Sequence, residues 1–328
     1  MFKTLSSALL LSTISFSSLA MDNVNFQLDW LPGGDKAPVY VGIDKGIFEK
    51  YDLEVSINQG RGSTEAITKL ATGVSDVGIA DISALMVAKA NNDVPVSAVY
   101  SIFSQAPHAF FVIDNGKINT IADIKGKKVA TSPFTSSNLY LPLVLEQSGF
   151  SEDDIQLVKA DPGALGPMLA TENTDVLIAW VTSKERLISQ AKQAGKILKV
   201  MPWHDAGLEQ YATSVVASDR FLAERPDVAK RFIKAYAEAV AYTWANPLES
   251  AKSINKIVPE VDVKVAQDTI TSIYGLVYNP ISKASTVGQF DAKHLASTWK
   301  WTSAAQGIEE SSFDPEKVIN RGFLPEVK

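Results

Sequence analysis

Short apolar runs alternate with helical patterns along most of the chain. Phe26, Leu28 and Trp30 alternate with other residues as in a strand, which Pro32-Gly33-Gly34 breaks. Residues 39–45 predict a helix, with Gly46 as its left-handed C-cap. Leu53, Val55 and Ile57 predict the next strand, and Gly60-Arg61-Gly62 a loop. Ser63 is a candidate N-cap for a helix over residues 64–72 that Gly73 stops, and residues 77–80 predict another strand. This βαβα order points to a mostly parallel sheet covered on both faces. The order recurs after residue 105, with strands predicted at 110–113, 128–131, 155–158, 176–180 and 197–200.

Residues 70–81 also lie over residues 169–180 without a gap, sharing Leu, Ala, Thr, Asp, Val, Ile and Ala in register, seven of twelve positions. Any helix-to-strand connection of an α/β protein has a related pattern. The more informative reading is two α/β lobes of like design, with Asp81 and Trp180 at equivalent strand ends, where open α/β sheets bind ligands. The last third is helical: Pro226 opens a periodic stretch through Phe232, Tyr236 and Val240 that Asn246-Pro247 stops, and helices follow over 263–273 and 294–305. Trp299 and Trp301, two apart on the last helix, cannot share a face and are read as packing residues. The simplest topology crosses between lobes near 104–107, returns through a strand over 211–217 and finishes on the first lobe. That gives a first lobe of residues 21–104 and 213–328, a second lobe of 105–212, and a double-crossover hinge.

Residues 1–20 differ in kind. Lys3 is their only charge, an apolar run follows, and Ser18-Leu19-Ala20 ends it with small residues, as in a cleaved secretory signal peptide. The chain has no cysteine, which removes disulfides, thiolate metal sites, thiol nucleophiles and a lipid anchor at the cleavage point. A soluble, exported, periplasmic protein is expected. Lys+Arg 31 against Asp+Glu 37 leaves a net charge of −6, which offers no general attraction to nucleic acid. Three histidines, at 108, 204 and 294, leave little for a metal centre, and no cofactor is expected.

The opening Leu28-Asp29-Trp30-Leu31-Pro32, the run from Tyr40 to Val55 through Gly46-Ile47-Phe48-Glu49, the loop Gly60-Arg61-Gly62-Ser63 and the segment 70–80 stand in an informative order. With Ile121-Ala122-Asp123-Ile124-Lys125-Gly126 and Arg225-Pro226-Asp227-Val228, the chain resembles the periplasmic solute-binding proteins of ABC importers for nitrate, alkanesulfonates, taurine and thiamine-precursor pyrimidines. The resemblance covers most of the chain after residue 20. It implies the two-lobed periplasmic binding protein fold, a small molecule enclosed between the lobes, a monomer, and an ABC permease of the inner membrane as partner.

The candidate ligand contacts have a physical reading beside that resemblance. Trp30 offers a stacking ring before a Gly-rich loop, and Asp35 in that loop can take an amino donor; core packing is the alternative for Trp30. Ser63 and Thr64 stand at a helix start, where free N–H groups favour an anion or carbonyl, although helix capping accounts equally for Ser63. Ser132 and Thr135, flanking Phe134, form the corresponding start in the second lobe. Arg61 is placed in a cleft loop or on the surface, while Arg186, Arg220, Arg225, Arg231 and Arg321 are read as surface or tail residues. Asp81 is a strand-end ligand group or an N-cap, and His108 a ligand contact or a structural histidine. Trp180 and Tyr211 complete the set, and Trp203-His204 is read as a rim of the cleft or a surface turn.

The rings at 30, 103, 134, 140, 180 and 211 favour a planar, heteroaromatic ligand such as a pyrimidine over nitrate or taurine, with an aromatic or alkyl sulfonate or carboxylate still open. Two rivals exist. An exported sensor would have the same pocket and another partner. A pyrimidine synthase of the same fold, which the resemblance also includes, carries a cysteine-rich motif that this chain lacks, and no Gly-x-Ser-x-Gly elbow supports a hydrolase.

Overall fold

The computed structural model describes residues 21–325; the signal peptide expected over 1–20 lies outside the described residues. Strands β1 (Asp22–Gln27), β2 (Leu53–Asn58), β3 (Val77–Asp81) and β4 (Val96–Ser101) open one sheet. Strands β5 (His108–Ile113), β6 (Lys128–Thr131), β7 (Gln156–Lys159), β8 (Val176–Trp180) and β9 (Leu198–Pro202) form a second, and β10 (Thr213–Ser218) returns to the first. The spatial orders are β2-β1-β3-β10-β4 and β7-β6-β8-β5-β9. In each, three parallel strands meet an antiparallel crossover strand, β10 or β5, that pairs onward with the edge strand. The two sheets therefore share one design, and β3 and β8 hold the same central place.

Helices α1 (Ala37–Asp44), α2 (Ser63–Ala71) and α3 (Ile82–Asn92) follow the first three strands, and α4 (Ser137–Glu146), α5 (Pro162–Ala170) and α6 (Lys184–Gln193) follow β6, β7 and β8. The chain then runs through α7 (Asp219–Glu224), α8 (Pro226–Ala245), α9 (Pro247–Ile257), α10 (Val263–Ser272), α11 (Tyr274–Val277), α12 (Pro280–Ser285) and α13 (Ala292–Ala305). The periodicity of α8 turns Phe232 and Tyr236 onto the first sheet, where both pack on Phe26 with ring centroids 5.9 and 5.8 Å away. Burying rings of this size contributes roughly 1.5–3 kcal/mol each. Among the described residues no helix is long and apolar enough to cross a membrane.

Three local expectations change. The first strand ends at Gln27 rather than running through Trp30, because the chain turns after Leu28 so that Asp29 meets Lys36. Ser63 is not the cap of α2; Gly62 holds that place, and the Ser63 hydroxyl accepts instead from the Asp81 N–H at 3.0 Å. The C-terminal region also does not stay on the first lobe. Helix α13 straddles both: Trp299 is buried with Phe290 and Leu295 of the first lobe, while Trp301 packs against the second. Tyr140 shares a 2.6 Å hydrogen bond with Thr302, and Gln306 donates to the Leu139 carbonyl. The two crossovers run side by side, since Ile102 and Phe103 donate to the Thr213 carbonyl and Ala212 donates back to that of Phe103.

Helix α1 is clamped to α9 through Asp44, which accepts from Ser253 at 2.7 Å and Lys256 at 2.6 Å with Lys45 at 3.2 Å. Burial alone would raise its carboxyl, but Lys256, Ser253 and Lys45 overcome it and hold the pKa down to about 2. A depressed carboxyl stabilises the fold above its unfolded value and loses that contribution as the pH falls through the folded one. Asp44→Asn is therefore expected to cost about 1–2 kcal/mol at pH 7. In urea titrations the gap from the parent should close between pH 4 and 2, and a gap independent of pH would refute the clamp.

Candidate functional site

The carboxyl ends of the parallel strands of both sheets face one another, and a cavity lies between them. The turn after β1 brings Asp29, Trp30, Asp35 and Lys36 to its wall, and the start of α2 brings Ser63. From the second lobe come Thr135, Trp180 at the end of β8, and Thr182 with Ser183 before α6. In this arrangement the free volume is about 20 Å³, room for a single water, so any larger guest needs the lobes to part.

The charged group at the centre is Lys36, only 1% exposed, with its ammonium 2.6 Å from Asp29 Oδ1 and 3.0 Å from Asp35 Oδ2. Burial would lower its pKa, but the two carboxylates outweigh that and raise it. Asp29 moves up because burial penalises its charge more than Lys36 relieves it. The ammonium also lies 5.7 Å from the centroid of the Trp180 ring, within cation–π range. Two carboxylates against one ammonium leave the wall net negative. Trp30 reaches across the cleft to pack against the apolar cluster of the second lobe that contains Ala109, Leu177 and Leu187, and its indole N–H is buried without a hydrogen-bond partner.

Behind the cavity lies a sealed polar layer. Asp81 caps α3 by accepting from the Ser83 N–H at 3.0 Å and also accepts from the Ser83 and Ser136 hydroxyls at 2.7 and 2.6 Å. His108 Nδ1 shares a 2.9 Å hydrogen bond with Ser137, and its Nε2 lies 3.5 Å from Asp81. Trp180 donates its indole N–H to the same Ser137 hydroxyl at 3.2 Å. Burial pushes Asp81 up and His108 down to about 3, each toward its neutral form. Since Asp81 comes from the first lobe and Ser136 and His108 from the second, this layer joins the lobes at the base of the cleft.

Trp30, Asp35, Ser63, Thr135 and Trp180 thus line the cavity. Asp81 and His108 lie directly behind it, wholly buried. Arg61, Thr64, Ser132 and Phe134 form a seam between the lobes instead. Thr64 donates through both its N–H and its hydroxyl to the Phe134 carbonyl, at 3.2 and 3.0 Å, and Ser132 donates to the Arg61 carbonyl at 2.7 Å. The Arg61 guanidinium points out of the cleft, paired with Glu65 at 2.8 Å and stacked 4.8 Å above Phe134. Tyr211 is displaced furthest. It is buried under α13 against Phe290 and His294, because its hydroxyl accepts from the Asp291 N–H at the cap of that helix.

Besides Gly62 and Ala179, four polar wall residues went unrecognised in the sequence: Asp29, Lys36, Thr182 and Ser183. Lys36 carried a signal, a lysine directly before the apolar helix 37–44 and one residue after Asp35, where a buried lysine needs a carboxylate. Arg186 is also misplaced as a surface residue, since it lines a groove continuous with the cavity. Trp203 is wholly buried beside Phe110 and not a surface turn.

Two like lobes around a cavity at the facing strand ends define a two-lobed periplasmic solute-binding fold. The periplasmic aliphatic sulphonate binding protein SsuA of Escherichia coli shares it with a TM-score of 0.69 over 95% of both chains, at 18% identity. The chain belongs to the NMT1/THI5-like family, whose model matches residues 34–250. A Haemophilus influenzae protein named for thiamine biosynthesis is 26% identical over 325 residues, 96% of this chain and 95% of that protein. Brucella abortus proteins named as binding proteins are 26% identical over 215 residues, and the match spans 64% of this chain and 64% of theirs. A Candida albicans 4-amino-5-hydroxymethyl-2-methylpyrimidine phosphate synthase is 23% identical over 71% of this chain and 70% of its own.

Proposed function

We propose that this protein is the periplasmic substrate-binding component of an ABC importer, and that it captures a planar, amine-bearing heteroaromatic solute of the pyrimidine kind between its lobes. The observation that carries the ligand class is the cavity wall. Trp30 and Trp180 supply two rings, while Asp29 and Asp35 outnumber Lys36 and leave acceptors for an amino group. A bare anion such as nitrate would meet those carboxylates in a poorly solvated site, where like charges about 4 Å apart repel by about 4 kcal/mol. Opening at the paired crossovers admits the solute, and closing brings Trp180 and Trp30 onto it. Delivery to a permease follows from the resemblance and from relatives named as binding proteins. The synthase reading has a relative by name, but its motif needs cysteines and the chain has none.

Mass spectrometry of the denatured protein should find an aminated ring compound carried through purification. In a thermal-shift panel, pyrimidines should raise the melting midpoint by several degrees, since a ligand at 100 times its dissociation constant adds about 2.7 kcal/mol. Trp180→Ala is expected to weaken that binding by about 1–3 kcal/mol and leave the fold intact. A shift with nitrate or taurine and none with ring compounds would overturn the ligand class.

A further inference from the structure

The cavity opens onto a second space that the ring-binding wall does not use. A groove with a free volume of about 530 Å³ shares Trp30, Asp35, Thr182 and Ser183 with it and continues outward between the turn at 31–35, helix α6 and the start of α10. Its two walls differ. On the first-lobe side stand Pro32, Gly33, Gly34, Val261 and Val265. On the other, Ser183, Arg186, Gln190 and Gln193 follow at steps of three, four and three, which puts the N-cap serine and three polar side chains of α6 on one face.

Arg186 dominates that face. It is half-buried, among the described residues its side chain donates one hydrogen bond, to the Gln190 side chain at 3.4 Å, and burial disfavours its charge. Among the described residues the carboxylate that acts on it is Asp35, which Lys36 already engages at 3.0 Å. The other acids of the groove do not serve it: Asp262 is spent on capping α10 through the Val265 N–H at 2.8 Å, and Glu260 stands exposed at the rim. A guanidinium without a bound carboxylate, in a recess continuous with a ligand cavity, is suited to a bidentate oxyanion.

We propose that the groove is a second subsite of the same cleft, in which Arg186 pairs with an anionic substituent, a phosphate monoester or a carboxylate, of a solute whose ring lies between Trp30 and Trp180. The assignment of the ring rests on the reading given above; the anion subsite rests on Arg186 and the groove. It fits the placement of the charges: the inner wall is net negative and takes the amine end, while on the α6 side of the groove the Arg186 guanidinium takes the acid end. Both ends of one bipolar solute are then matched, and solutes lacking the acid are disfavoured.

Calorimetric titration of the full mature protein tests this with three probes: a 4-amino-5-(hydroxymethyl)pyrimidine, its phosphate monoester, and phenyl phosphate. The monoester should bind the parent at least about tenfold more tightly than the alcohol, the scale of one charge-assisted pair. Arg186→Gln should abolish that gain, change the affinity for the alcohol by less than twofold, and leave the melting midpoint of the unliganded protein in place. A gain that survives Arg186→Gln, or no gain in the parent, overturns the subsite and leaves the ring assignment standing. Binding of phenyl phosphate that depends on Arg186, with neither pyrimidine bound, overturns the ring assignment and supports the subsite. Binding of none of the three overturns both.

Discussion

Replacing Gly62 by alanine is expected to hold the two lobes apart while each remains folded. A Cβ at this position would lie 2.0 Å from the Phe134 carbonyl oxygen and 2.1 Å from its carbon, and the obstructing atoms are backbone that cannot swing aside. The φ of +158° at Gly62 adds strain for any other residue. The same approach carries the seam: the Thr64 N–H and hydroxyl reach the Phe134 carbonyl from the next turn, and Ser132 reaches Arg61. A displacement large enough to admit one methyl group breaks all three hydrogen bonds. At about 1 kcal/mol each, the closed state loses a factor of about 150 against the open one. Solution scattering should give Gly62→Ala a larger radius of gyration than the parent, and the best compound of the thermal-shift panel should bind it about 150-fold more weakly. The melting transition should move little, since Gly62 lies outside the apolar clusters of both lobes. Unchanged scattering together with unchanged affinity would mean that closure does not pass through this contact.

The alternation of strands and helices was legible because buried parallel strands and amphipathic helices leave strong periodic traces. The repeat of residues 70–81 in 169–180 even located the two equivalent central strands, β3 and β8. What the pattern could not show was contact across the lobes. Thr64 and Ser132 read as ligand hydroxyls because a hydroxyl at a helix start looks the same whether it faces a guest or a carbonyl of the other lobe. Tyr211 read as a cleft ring because nothing local reveals that Asp291, eighty residues on, would claim its hydroxyl. Strand β4 gave little trace, as Val96-Ser97-Ala98-Val99-Tyr100-Ser101 mixes small polar residues into a fully buried edge. Trp299 and Trp301 were rightly put on opposite faces, but only the fold shows that the two faces serve different lobes.

Lys36→Met is expected to be the most damaging single change in the cleft, and its pH dependence identifies the cause. Methionine keeps most of the aliphatic stem, so packing changes little, yet Asp29 and Asp35 stay behind with side chains only 3% and 8% exposed and no counter-charge. Breaking a buried ion pair by removing one partner typically costs about 3–5 kcal/mol. Burial already raises Asp29 against the pull of Lys36 in the parent; without the ammonium, burial and the neighbouring Asp35 push it further up. A carboxyl with a folded pKa above its unfolded value takes up a proton first in the folded state, so stability falls as the pH rises across that window. The penalty should therefore be largest at neutral pH and shrink as the pH is lowered toward about 4, near the unfolded value. Adding Asp29→Asn to Lys36→Met should restore a large part of the loss at pH 7.5 by removing the charge that was stranded. Denaturant titrations of parent, single and double variants at pH 7.5 and 5 decide the matter. A penalty equal at both pH values, or no recovery in the double variant, would show that Lys36 acts through packing and not through its two carboxylates.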